Sequence, residues 1–194
     1  MRLRQPVRLG IAAVGAAVLG VSAASALVPA PTVPAPQSAI PVAGSERLGP
    51  TAADPLGGID WALRAYTSTS GGSCVEVGRL TDGRFAEVDA AGTYRAAPLG
   101  EGGTCGDLAA EPVIVAVNAY PARADRGART VLFGLAAPAV AGLLVQRPGG
   151  AVGVRPVIGA TRGFLLPLAG TIAASELPVT ITLADGRSRM YDWR

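Results

Sequence analysis

The sequence predicts a mainly β protein, folded as an antiparallel sandwich. From about Asp54 onward, short apolar runs alternate with Gly, Pro and Asp-Gly turn signals. The only helical candidate, residues 136–144, is interrupted by Pro138 and Gly142. Regularly spaced short strands with turn signals are typical of a sandwich or barrel, and a proline and a glycine inside one apolar run disfavour a helix.

Eleven strands are predicted, all of them after residue 60. They are 61–67, 75–80, 84–89, 93–97, 113–119, 130–135, 142–146, 152–157, 163–167, 179–183 and 187–192. Those in the last 82 residues are enough for an immunoglobulin-like or fibronectin-like sandwich. The strands before it form an N-terminal β-hairpin region.

Two Asp-Gly pairs predict tight hairpins. A two-residue turn at Asp82-Gly83 sets Leu80 opposite Phe85. The same rule at Asp185-Gly186 pairs Leu183 with Ser188 and Ile181 with Met190, so that Met190 shares the inward face of the sheet.

The first 26 residues form a signal peptide or an N-terminal membrane anchor. Arg2, Arg4 and Arg8 precede an uncharged run, 9–28, and small residues around Ala26 favour cleavage. The run is nevertheless long enough to span a bilayer, and if uncleaved it is the only membrane contact. Either way, the rest of the chain is expected to be extracytoplasmic. A Pro-rich linker (27–53) and one β domain (54–194) follow, with a possible internal seam near 111–112.

The net charge of +3 comes from the N-terminal segment alone. All 17 basic residues are arginines, and removing the three that precede Leu9 leaves 14 against 14 acidic residues. A neutral mature chain gives no reason to expect nucleic acid as a partner. The Ala-, Gly-, Pro- and Arg-rich composition is typical of a GC-rich genome such as that of an actinobacterium.

The chain contains neither histidine nor lysine. A Ser-His-Asp triad, a His-ligated zinc site and a Schiff-base lysine are therefore excluded. An enzyme would depend on carboxylates, as glycosidases do, but about 140 residues is small for a sugar cleft. We expect no enzymatic activity and no cofactor.

The two cysteines, Cys74 and Cys105, predict one disulfide, because exported chains fold in an oxidising compartment. Closing this loop constrains the unfolded chain by roughly 3–4 kcal/mol in the chain-entropy model.

Two groups of side chains are candidate sites. In the first hairpin, Glu76, Glu87 and Asp89 fall on one face, where they predict either a Ca²⁺ site or neutralisation by a neighbouring arginine. In the loop 121–129, Arg123, Arg126 and Arg129 predict an anion-binding loop for a wall polymer or phosphate; the alternative is that they are solvated.

Residues 54–107 resemble an N-terminal block of exported actinobacterial proteins of unknown function. The shared motifs, in order, are DPLGG (54–58), WALR (61–64), Cys74, VGR (77–79), Asp82-Gly83, Phe85, GTYR (92–95) and Cys105. The resemblance implies an exported location and a two-cysteine loop, and it implies no activity.

The sequence therefore predicts a non-catalytic domain of the cell envelope that binds a partner or a wall polymer, or has a structural role. The alternatives are a small secreted hydrolase that uses carboxylates, and the sensing ectodomain of a membrane-tethered protein.

Overall fold

The computed structural model describes residues 40–88, 94–96, 103–122, 127–157 and 161–193. The predicted signal peptide or anchor and most of the predicted linker lie outside these ranges. Within the described residues, no helix is long and apolar enough to cross a membrane.

The described chain is built from thirteen β-strands and one short 3₁₀ turn, Ala174–Glu176. The strands are β1 (Arg47–Ala52), β2 (Trp61–Thr67), β3 (Ser73–Thr81), β4 (Arg84–Val88), β5 (Tyr94–Ala96), β6 (Thr104–Gly106), β7 (Val113–Tyr120), β8 (Arg129–Ala136), β9 (Val140–Arg147), β10 (Gly150–Val154), β11 (Gly163–Ala169), β12 (Val179–Leu183) and β13 (Ser188–Met190). The prediction of a mainly β fold is confirmed.

The N-terminal sheet has the order β1-β2-β3-β4-β5, and every pairing in it is antiparallel. Strand β6 also pairs with β3. Because β2 runs along one edge of β3, β4 and β6 share its other edge, with β4 on residues 79–81 and β6 on residues 73–75.

The C-terminal half is a seven-stranded sandwich. One sheet has the order β11-β8-β7, and the other has the order β10-β9-β12-β13. In fibronectin lettering, β7, β8 and β11 are strands A, B and E, and β9, β10, β12 and β13 are strands C, C′, F and G. The two sheets are therefore the A-B-E and C′-C-F-G sheets of a fibronectin-like sandwich. This agrees with the fold class predicted for this part of the chain.

The three-stranded sheet is buried on both faces, and β8 lies at its centre. Leu132 and Ala136 of β8 contact the four-stranded sheet in one core cluster. Val131, Phe133 and Leu135 point the other way, into a second core cluster with the N-terminal sheet. The described part of the chain therefore has three β layers, and the continuous apolar run of β8 is the pattern of a doubly covered strand.

The predicted strands agree with the structure, and two strands were missed. β2 and β12 have the predicted bounds, and the others differ at their ends. The missed strands are β1 and β6, which contain Gly-Pro and Gly and lack a strong alternation.

The predicted linker boundary at residue 53 is wrong, because β1 lies inside the linker and pairs with β2. Residues 35–194 form one compact unit. The three-stranded sheet β11-β8-β7, which we call the central sheet, begins with β7 just after Pro112 and contributes to both core clusters.

The first hairpin has the predicted register, with Leu80 opposite Phe85 and positive φ at Asp82 and Gly83. The register predicted for the C-terminal hairpin is wrong by one residue, since Thr182 pairs with Ser188 and Thr180 with Met190.

The C-terminal loop is longer than two residues. The amide of Leu183 donates to the carbonyl of Arg187, and Gly186 alone has a positive φ in this turn, +83°. A three-residue loop that ends in a left-handed glycine explains the shift, which turns Met190 outward.

We predict that Gly134→Ala destabilises the protein by about 1–3 kcal/mol, through overpacking. A β-carbon at Gly134 would overlap the backbone carbonyl of Ile114 on β7 and the ring of Phe164 on β11. Urea unfolding measures the change as a lower midpoint at constant slope.

Gly153→Ala is the matched control, because a β-carbon there meets no atom within 4 Å. Equal unfolding midpoints for the two variants would contradict the close approach of β7 and β8.

Candidate functional site

The carboxylate of Asp54, in the loop between β1 and β2, binds two arginines from different sheets. Arg129 Nε of β8 donates to both oxygens of Asp54, at 2.8 and 2.7 Å. Arg79 Nη2 of β3 donates to Asp54 Oδ2 at 2.5 Å. All three side chains are buried, so this ion cluster joins the N-terminal sheet to the central sheet.

Backbone groups complete the Asp54 cluster. The amide of Leu56 donates to Asp54 Oδ1 at 2.9 Å. Arg79 also donates to the carbonyl of Ile59, and Arg129 donates to the carbonyl of Gly127. The bonds to Leu56 and Ile59 fix the loop that leads from Asp54 into β2, and the bond to Gly127 fixes the residues before β8.

Aromatic rings cover the arginine on the core side. The guanidinium carbon of Arg79 lies 3.4 Å from the centroid of the Trp61 ring. The ring of Tyr120 also packs on Trp61, with the two ring centroids 4.8 Å apart. Trp61 is fully buried, and a desolvated cation over an indole is a favourable contact.

Burial and hydrogen bonding act in opposite directions on the pKa of Asp54. Desolvation alone would raise this pKa, but the bonds from Arg129, the Leu56 amide and Arg79 outweigh it and lower the pKa below its usual 3.8. Asp54 is therefore held as a carboxylate and serves as a structural anion.

A second buried ion pair lies on the face of the N-terminal sheet that points away from the core. Arg64 of β2 donates through Nε to Glu76 Oε2 of β3 at 2.7 Å, and through Nη2 to the same oxygen. The two residues are directly opposite in the sheet. Glu46 lies 3.6 Å from Arg64 Nη1, and the guanidinium stands 4.4 Å from the centroid of the Phe85 ring.

Tyr66 adds a hydroxyl to this cluster. The side chain is 3% exposed, and its hydroxyl has no hydrogen-bond partner among the described residues. It lies beside the Glu76 carboxylate. Burial, and then the negative charge of Glu76, raise the pKa of Tyr66 to about 12.

The predicted disulfide is confirmed and lies next to this cluster. Cys74 and Cys105 are directly opposite on β3 and β6, with Cα atoms 4.0 Å apart. Gly103, just before β6, approaches the cluster so closely that a β-carbon there would lie 2.9 Å from the Tyr66 hydroxyl. We call Arg64, Tyr66 and Glu76 the outer cluster.

The structure places only part of the predicted metal site. Glu76 is paired with Arg64, and the described residues contain no group of three potential metal ligands. In the backbone register, Glu87 of β4 lies opposite Arg95 of β5, and Asp89 lies outside the described residues. Strand β6 occupies the edge of β3 at residues 73–75, and the described β3-β4 pairing is confined to residues 79–81.

The predicted anion-binding loop loses one of its three members. Arg129 is bound to Asp54 and cannot serve as a free anion ligand. Arg123 and Arg126 lie outside the described residues. Arg129 reaches Asp54 because it begins strand β8 and points towards the N-terminal sheet.

The sequence analysis missed the structural importance of Asp54, Arg64 and Arg79. A usable signal existed for Arg64, which interrupts the mainly apolar strand β2, because a charge buried in such a strand must be paired. No local signal identifies Asp54, whose partner Arg129 is 75 residues away.

Both clusters link neighbouring strands or sheets through buried ion pairs. Each carboxylate is neutralised by at least one guanidinium, and each is closed off from solvent. A surface groove of about 220 Å³ lies elsewhere, between β7 and β13, where Glu111 and Arg189 form an exposed ion pair.

We predict that Asp54→Asn destabilises the fold by about 3–5 kcal/mol, because it leaves buried guanidinium groups without their anion. Glu111→Gln removes a carboxylate from an exposed pair and should cost less than about 1 kcal/mol. Chemical unfolding at pH 7 measures both.

The same variant tests the pKa of Asp54. A lowered folded pKa contributes stability above the ordinary value of 3.8, and this contribution is lost as the pH falls through the folded pKa. Asp54→Asn should therefore flatten the acid limb of the stability profile. An acid limb identical to that of the wild type would contradict the assignment.

Comparison with known proteins gives no match: no family model, no curated protein and no solved structure is significantly similar to this chain.

Proposed function

We propose that this chain is an exported, non-catalytic domain of the cell envelope that acts by binding a wall polymer or an envelope partner. The observation that carries the proposal is the pairing of its buried charges. Asp54 and Glu76, the two most buried acidic residues among those described, each hold at least one arginine, so neither carboxylate is free to act as a general acid or base.

The export part of the proposal rests on the N-terminal sequence and the disulfide. Three arginines, an uncharged run and small residues at 24–26 are typical of an export signal. The Cys74–Cys105 disulfide is compatible with an oxidising extracytoplasmic compartment.

The proposal that a wall polymer is the partner rests on the loop 121–129. Arg129 is bound to Asp54, and the sequence of this loop contains two further arginines, Arg123 and Arg126. Guanidinium groups bind phosphate and carboxylate oxygens through two parallel hydrogen bonds.

We predict a released species that begins at Leu27 when the native host is fractionated. Its intact mass should be two hydrogens lighter than that of the reduced chain, because Cys74 and Cys105 are joined. Mass spectrometry of the culture and membrane fractions measures both features. Ala26→Trp is the control, since a large residue before the cleavage point should keep the chain at full length.

A full-length species in the membrane fraction of the wild type would contradict release. It would favour a tethered sensing ectodomain, anchored by residues 9–28.

We predict that the purified protein sediments with insoluble cell walls of its host. Arg123→Ala combined with Arg126→Ala should weaken this binding at least about fivefold, through loss of charge-assisted hydrogen bonds. Replacement of all three arginines would mislead, because Arg129 holds the fold together.

The matched control is Arg84→Ala combined with Arg147→Ala, which removes the same charge from two exposed positions. Equal binding by the two double variants would contradict an anion-binding role for the loop.

A further inference from the structure

A short strand closes the outer cluster on one side. Tyr66, Cys74 and Cys105 lie in one row across β2, β3 and β6, each directly opposite the next. Gly103 continues from β6 over the Tyr66 hydroxyl and the side chain of Glu76. The position of β6 therefore decides whether this side of the outer cluster is buried.

Backbone pairing holds β6 only weakly. It consists of three residues, pairs with β3 at Ser73–Val75, and pairs with no second strand among the described residues. Its next contact is the packing of Gly106 against Ile114 of β7. Three ladder positions at an edge are marginal by themselves, so the disulfide is the strongest link between β6 and the sheet.

The buried state of the outer cluster carries a free-energy cost. An ion pair is removed from water, and the Tyr66 hydroxyl is buried beside the negative charge of Glu76. Both groups would gain solvation if β6 moved away. The disulfide therefore acts against a local tendency to open.

We propose that the Cys74–Cys105 disulfide is a thiol-sensitive latch, whose reduction releases β6 and uncovers Arg64, Tyr66 and Glu76. This device goes beyond the proposed binding function and does not depend on which polymer is bound. The reductant is a dithiol of a thiol–disulfide exchange protein or a small dithiol.

The exchange balances as follows. A thiolate of the dithiol attacks Cys105 Sγ, because Cys105 is partly exposed while Cys74 is fully buried. The Cys74–Cys105 bond breaks and Cys74 leaves as a thiolate, which takes a proton. The second thiol of the reductant then displaces Cys105, so that the reductant becomes a disulfide and the chain carries two thiols.

Hydrogen–deuterium exchange of the full chain, with and without dithiothreitol at neutral pH, tests the latch. In the reduced chain, we expect amides of Thr104–Gly106 and Ser73–Val75 to exchange at least about tenfold faster, as local opening requires. Peptides from β8, Val131–Leu135, should remain protected. Unchanged exchange in β6 overturns the proposal, and so does joint loss of protection in β8, which indicates global unfolding.

The variant Cys74→Ala with Cys105→Ala provides a second test. Without any reductant, it should exchange as the reduced wild type does. Its Tyr66 should also be nitrated by tetranitromethane several-fold faster than in the oxidised wild type. If β6 opens but Tyr66 stays protected, the outer cluster is not what the latch covers, and the proposal fails.

Discussion

The fold depends on one buried carboxylate. Asp54 binds Arg79 of the N-terminal sheet and Arg129 of the central sheet, and Arg79 donates a further bond to the loop that follows Asp54. Two like charges would repel each other if they were buried without an anion, so Asp54 is what allows the two sheets to meet at this end. The apolar contacts between the sheets stabilise their packing but are non-directional, whereas the ion cluster sets the relative position of the two sheets.

The central sheet makes the two halves of the chain one unit. Its two faces feed separate core clusters, so β8 has no solvated side and no position for an unpaired polar group. Thr130 illustrates the constraint, since its buried hydroxyl donates to the carbonyl of Gly170 and accepts from the amide of Ile172. This arrangement explains why the C-terminal sandwich, which has a familiar strand order, carries an additional sheet on one face.

The same charges that suggested chemistry from the sequence are consumed by the architecture. Glu76 was predicted among metal ligands and Arg129 among anion ligands, yet each pairs with a residue of opposite charge from a neighbouring strand or sheet. Neither side chain is therefore free for the role predicted for it. The outer cluster differs from the Asp54 cluster in one respect, because a disulfide-linked strand, β6, closes it on one side.

The sequence by itself determined the β class, most of the strands, the first hairpin and the disulfide, because alternation, turn residues and cysteine count are local or compositional signals. Only the tertiary structure decided that β1 joins the domain, that the last hairpin closes through a three-residue loop, and which charges are paired. Asp54 and Arg129 are separated by 75 residues, and no local pattern records a contact that is made only when two sheets pack together.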